Sequence, residues 1–189
     1  MKIKNKSVAI KVGLGIAVVL GVVLSVGYSF NKIDTEVVEI SSSLDYIQEQ
    51  LGVKVDSYKS VKKNIEKYDE SDNLIKSIDD EISITDKYKN IDFDNFNSKI
   101  MNERINSYNK LNEKIDAVID LYDENKDMSD DKVLSESINN LIDSDSNLER
   151  ATRDFNQHTR EDFNKAIKGF PTNIVAKSKG ITPIDKFDN

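Results

Sequence analysis

Between Asn31 and Lys168 the chain carries one glycine, Gly52, and no proline. Strand-rich domains need turn residues about every 8–12 positions, and glycine and proline supply much of the backbone geometry those turns use. So long a stretch without them argues against a sandwich or barrel and predicts helix almost throughout. Pro171 and Pro183, with Gly169 and Gly180, sit at the C-terminal end. There a helix running to about Lys168 meets a glycine stop signal and a proline that cannot continue it.

Apolar spacing divides the stretch into four helices. Ile33, Val37, Ile40, Leu44, Ile47 and Leu51 alternate steps of four and three, the seam of a long amphipathic helix. Val55, Tyr58, Val61, Ile65 and Tyr68 continue it, with a phase slip expected near Gly52, where Leu51 to Val55 makes a second step of four. Asp69-Glu70-Ser71-Asp72 interrupts the pattern and caps a second helix with Leu74, Ile75, Ile78 and Ile82 inward. Lys89 to Asp94 is the next expected bend. Phe96, Ile100, Ile105, Tyr108, Leu111, Ile115, Val118 and Tyr122 mark a third helix, and Asp123 to Asp130 reads as a polar loop. Leu134, Ile138, Leu141, Asp145, Leu148, Thr152, Phe155 and Thr159 form the seam of a fourth. Its polar members, Asp145, Thr152 and Thr159, imply a part that is weakly buried or faces a partner. Long helices joined by short links pack antiparallel. The expected fold is all-α: an elongated antiparallel bundle of about four coiled-coil-like helices behind one N-terminal transmembrane helix.

The transmembrane expectation rests on residues 12–30, VGLGIAVVLGVVLSVGYSF, which carry no charge. A bilayer core about 30 Å thick takes roughly 20 helical residues at about 1.5 Å each. Lys2, Lys4, Lys6 and Lys11 precede the run without an acid, which predicts a cytoplasmic N-terminus and an extracytoplasmic body. The expected division is a basic N-terminus (1–11), a membrane anchor (12–30), a helical bundle (31–170) and a C-terminal tail (171–189). A cleaved secretory signal is the alternative, with Ser25-Val26-Gly27 as the processing site. Against it, the apolar run is longer than the roughly 7–15 residues of a signal core.

Charge narrows the partners. Four of the 27 basic residues precede the apolar run, leaving 23 against 34 acids beyond it. A body carrying about −11 is repelled by phosphate backbones, so nucleic acid is not an expected partner. The chain has no cysteine, which excludes disulfides, thiolate metal sites and a lipidated N-terminal cysteine.

Two motif clusters carry a resemblance. At the C-terminal end stand Arg153-Asp154-Phe155-Asn156, then Arg160-Glu161-Asp162-Phe163-Asn164, then Phe170-Pro171-Thr172-Asn173, with Gly180 and Phe187 beyond. Behind the apolar run come Phe30-Asn31 with Ile33, then Gln50-Leu51, Asp56 and Tyr68. Two aromatic-Asn pairs eight residues apart followed by Phe-Pro resemble the LemA family, and the first helix agrees in register. The chain departs from the family where Lys59 and Ser60 replace a proline and an asparagine, and where Leu44 replaces a tryptophan. The middle, about Asp72 to Asn140, matches only in helical pattern, as in a divergent member. The resemblance implies a bacterial membrane-anchored helical bundle whose molecular activity is not established. It carries over no catalytic residue, and marks Arg153, Phe155, Asn156, Phe163, Asn164, Phe170 and Pro171 as family-motif or interaction positions.

The residues themselves offer little chemistry. Asp123-x-Asn125-x-Asp127 begins like a calcium loop, but Met128 stands where glycine is needed and Leu134 where a bidentate glutamate is needed. His158 is the only histidine, too few for a zinc site or a nucleophilic triad. Asp79-Asp80-Glu81 point about 100° apart on a helix, as on a solvated face. No enzyme, cofactor or metal is expected. Asn156 and Asn164 have two readings: they bond neighbouring helices while Phe155 and Phe163 seat the fourth helix, or they line a partner groove beside Phe170-Pro171. Arg150, Arg153 and Arg160 lie near that surface as candidates to pair with acids of another helix or of a partner. The functional expectation is a scaffold or adaptor for other envelope proteins. The alternatives are a ligand-sensing ectodomain acting through a partner, or a released surface antigen.

Overall fold

The computed structural model describes residues 2–88 and 96–188, with side chains from Leu20 onward. Among the described residues there is no strand. Helix α1 (Lys2–Ile65) is followed by α2 (Asp72–Thr85), α3 (Ser98–Glu124), α4 (Lys126–Ser129) and α5 (Lys132–Asp154). A π-helical segment, Phe155–Thr159, joins α5 to α6 (Arg160–Ala166), and α7 (Thr172–Ser178) precedes an extended tail. The bend expected over Lys89 to Asp94 lies outside the described residues.

Side-chain pairs between helices give the directions. Lys62 Nζ lies 2.7 Å from Asp79 Oδ2, and the α2 end reaches back past Lys59 and Val55, so α2 runs antiparallel to α1. Thr85 meets Ser107 and Glu81 meets Lys114, so α3 turns again. Asn64 bonds Ser137 and Ser43 bonds Thr159, which sets α5 to α6 antiparallel to α1. The result is an up-down-up-down bundle.

The core is the seam that the apolar spacing marks on α1. Ile33, Ile40, Leu44, Ile47, Leu51, Tyr58, Val61 and Ile65 are buried, against Ile78 of α2, Met101 to Val118 of α3 and Leu134 to Phe155 of α5. Val37, Leu74, Ile82, Phe96 and Tyr122 are packed at its margins. The expected slip at Gly52 is corrected. Lys54 is fully buried and fills the seam position between Leu51 and Tyr58, so 47, 51, 54, 58, 61 and 65 keep the heptad alternation unbroken. The same holds on α3, where buried Met101, Arg104, Tyr108, Leu111, Ile115 and Val118 form the seam rather than a set containing Ile100, which is exposed.

Two expected connections differ. The polar loop at Asp123 to Asp130 contains α4, whose single apolar residue, Met128, is buried and tethers the turn to the core. Asn125 caps it by accepting the Met128 N–H at 3.1 Å. Within 171–189, α7 packs Val175 and Ala176 into the bundle. Gly180 then takes φ +67°, the left-handed turn that glycine favours, and Ile181 N–H closes on Ala176 O at 2.9 Å.

Leu44 is buried whereas Val38 on the same helix is 63% exposed. Leu44→Ala should cost about 2–5 kcal/mol in denaturant unfolding, and Val38→Ala should stay within about 0.5 kcal/mol of the parent. A second expectation concerns acid. Asp131 caps α5 through Val133 N–H and Leu134 N–H and also accepts from the Lys67 ammonium. The Lys67 bond, helped by the cap, lowers its carboxyl from an ordinary 3.8 to about 2. Because the folded value lies below the unfolded one, its contribution is complete above about pH 4 and is lost as pH falls through about 2. The Tm deficit of Asp131→Ala, measured by circular dichroism, should therefore be largest near neutrality and shrink across that window.

Candidate functional site

Two constructions set this bundle apart from a plain apolar one, and both start from polar residues at seam positions. The first is a layer between α1, α3 and α5. Lys54 Nζ donates to Asn112 Oδ1 at 2.6 Å, to Asp116 Oδ1 and to Asp145 Oδ1. An ammonium has three donors, and here three acceptors from two other helices take them. Burial raises the Asp116 carboxyl above its usual range against the pull of the Lys54 ammonium, so the layer carries a desolvation cost and acts as a register key. Asp145, a seam position that looked weakly buried or partner-facing, meets its partner inside the bundle.

A parallel arrangement surrounds Arg104, which is buried on α3. Its guanidinium donates to Leu44 O at 3.2 Å, to Gln48 Oε1 and to Tyr108 Oη at 3.0 Å. Between these two layers lies a cleft of about 190 Å³, lined by Ile47, Leu51, Tyr108, Asp116, Asp145, Leu148 and Phe187 among others.

The second construction is a groove filled by the protein's own C-terminus. Asn164 accepts the Ile184 N–H at 2.9 Å and donates to Ile184 O at 3.0 Å. Asn156 makes the same pair of bonds with Phe187, both at 2.8 Å. From the other wall, Ser98 accepts Thr182 N–H, Asn102 accepts Asp185 N–H and donates to Pro183 O, and Asn109 accepts Asp188 N–H. Arg160 Nε adds a bond to Ile184 O at 3.0 Å. Side-chain amides thus stand in for a neighbouring strand along an extended main chain.

The spacing that makes this possible is a match of repeats. Seven α-helical residues advance about 10.5 Å in two turns, and three extended residues advance about 10 Å. Asn102 and Asn109 are seven apart and meet residues 185 and 188. Asn156 and Asn164 are eight apart and meet residues 184 and 187. The extra residue is absorbed by the π segment, where Arg160 N–H bonds Phe155 O, five residues back. The π turn therefore restores Asn164 to the face of Asn156, the kind of local device that π-bulges provide. Ile181, Ile184 and Phe187, every third residue of the tail, are buried. Phe187 packs edge-on against Phe155 at 5.2 Å between centroids, and Phe163 packs against Phe96 at 5.7 Å.

The motif residues therefore separate. Asn156 and Asn164 hold the tail and Phe155 packs on Phe187, while Phe163 packs against Phe96, so the asparagine amides bond the chain's own tail rather than a neighbouring helix. Arg153 lies apart, exposed and within 3.5 Å of Glu149 on its own helix. Arg150 bonds Asn147. Phe170 is 83% exposed and its bond to Pro171 is cis. His158 is solvent-facing, with Asp154 at 3.8 Å. Among the described residues no three His, Cys, Asp or Glu side chains converge as metal ligands. Spacing alone could have flagged Lys54 and Arg104, since both occupy seam positions, but Asn102 and Asn109 gave no signal until the tail lay beside them.

Asn164→Ala leaves the Ile184 N–H without its partner and Ile184 O with the Arg160 Nε bond alone, at a cost of about 1–3 kcal/mol. In hydrogen exchange followed by NMR, the Ile184 and Phe187 amides should lose protection while those of the α1 seam keep it. Compared with known proteins, the chain matches no family model, no curated protein and no solved structure.

Proposed function

We propose that this chain is a single-pass membrane protein of the LemA type, whose helical bundle stands on the extracytoplasmic side and serves as a scaffold or adaptor for other envelope proteins. The observation that carries the reading is the abrupt change of environment along one continuous helix. From Ile33 onward α1 buries its apolar seam in the bundle, yet Leu20, Val22, Val23 and Leu24 on the same helix are exposed, Leu24 at 72%. An apolar surface on all sides of a helix is stable in lipid and costly in water. The lysines before it set the orientation expected for a cytoplasmic N-terminus. Among the described residues no helix is long and apolar enough to cross a membrane.

α1 has no break between residues 2 and 65, so the bundle is held at a fixed orientation to its tether. A stiffly presented, acidic helical surface suits docking of other proteins. No catalytic role is proposed. A ligand-sensing ectodomain is the second reading, favoured by the cleft beside Lys54. Its volume of about 190 Å³ falls short of the roughly 300–1,000 Å³ usual for small-molecule pockets, which places the scaffold reading first.

Protease treatment of intact cells tests the topology. A tag fused after Asn189 should be removed from outside while the N-terminus stays protected, and the intact mass should include the apolar run. A protected C-terminal tag, or a mature product in the medium that begins beyond Gly27, would overturn the proposal.

A further inference from the structure

The exposed Phe170-Pro171 turn plays no part in the tail groove, and its place in the bundle suggests a use. Thr159 bonds Ser43, and from there α6 descends toward the apolar end of α1 while the numbering of α1 falls. Seven residues at about 1.5 Å bring Ala166 to the level of about Glu36, and the turn 167–171 continues past it. The chain on the far side of α7 confirms the level, since Lys179 lies 2.7 Å from Asp34 and its ammonium sits 5.2 Å above the Phe30 ring. Phe170 therefore stands at the end of the bundle where the exposed apolar part of α1 begins.

Three further features converge there. Phe170 is 83% exposed and Ile174, one turn into α7, is 58% exposed. Exposed Tyr28 and half-exposed Phe30 lie at the same end on α1. From Phe163 to Ile184 the chain holds four lysines and no acid, although acids outnumber basic residues in the whole protein. Lys168 and Lys177 are exposed beside the apolar pair. Asp34 is paired with Lys179, Lys165 pairs with Glu161 and Asp162 on α6, and Glu36 lies near Asp162.

Resting on the membrane reading above, we infer that the Phe170-Pro171 turn and the outer face of α7 form a foot that contacts the bilayer interface. Phe170 and Ile174 enter the boundary between headgroups and acyl chains, where aromatic rings concentrate in membrane proteins. Lys168 and Lys177 face the headgroups and favour anionic lipid. The foot gives the bundle a second attachment beside α1 and fixes which of its sides faces the membrane. A foreign protein seated on the same patch is the competing occupant.

The absence of tryptophan from the chain provides the probe. Full-length variants Phe170→Trp, Leu24→Trp and Tyr46→Trp are reconstituted separately in phosphatidylcholine–phosphatidylglycerol vesicles with brominated acyl chains. Phe170→Trp should be quenched several-fold and emit at shorter wavelength, Leu24→Trp should be quenched more strongly, and Tyr46→Trp, on the bundle wall, should match its spectrum in unbrominated vesicles. If Leu24→Trp is quenched but Phe170→Trp behaves like Tyr46→Trp, the foot is wrong and the anchor stands. If Leu24→Trp is not quenched, the anchor itself fails and the foot falls with it.

Discussion

The bundle depends on one continuous apolar seam, that of α1 between Ile33 and Ile65. Buried side chains of α2, α3 and α5 pack on it, and α7 and the extended tail add to the same core. The seam also buries a charge, the Lys54 ammonium, among Asn112, Asp116 and Asp145. Apolar knobs alone would let α3 and α5 slide by a heptad at modest cost. A buried charge with three required acceptors makes each slipped register leave polar groups unpaired, which is where the large penalty lies.

A second polar system solves a different problem. An extended tail lying on helices has no strand to satisfy its main chain, and buried amides without partners cost free energy. Asparagine side chains present a donor and an acceptor in the geometry of a peptide group. Placed at two-turn intervals on α3 and on α5 to α6, they serve residues three apart on the tail. The π segment corrects the one spacing that would otherwise fail, so an apparent irregularity of the fifth helix is what keeps its aromatic-Asn pairs in line.

These two systems leave the ends of the bundle with different characters. At the far end, α4 and the cap of α5 tie polar connections down through Met128 and Asp131. At the other, apolar and basic groups gather around Phe30, Phe170 and α7. In the membrane orientation proposed above, this second end is the one next to the tether.

Much of the architecture was legible in the chain. Missing glycine and proline fixed the helical class, and steps of three and four located four helices and most of the core, because side-chain period follows directly from backbone geometry. The polar seam positions Asp145 and Thr159 were visible too, yet their partners were not. Lys54 lies 91 residues from Asp145, and although its seam spacing marks it as a residue that could be buried, no local pattern says which acceptors will hold its charge. At this level of α1 both Lys54 and its neighbour Val55 are buried. The tail was harder still. Ile181, Ile184 and Phe187 repeat every third residue, but only the packing of α3 against α5 and α6 creates a surface with that repeat. Sequence determined which residues want to leave water, since that is a property of each side chain. Tertiary structure decided which polar groups could leave with them, since a buried charge or amide is tolerated only when a partner, fixed by the whole fold, stands within bonding distance.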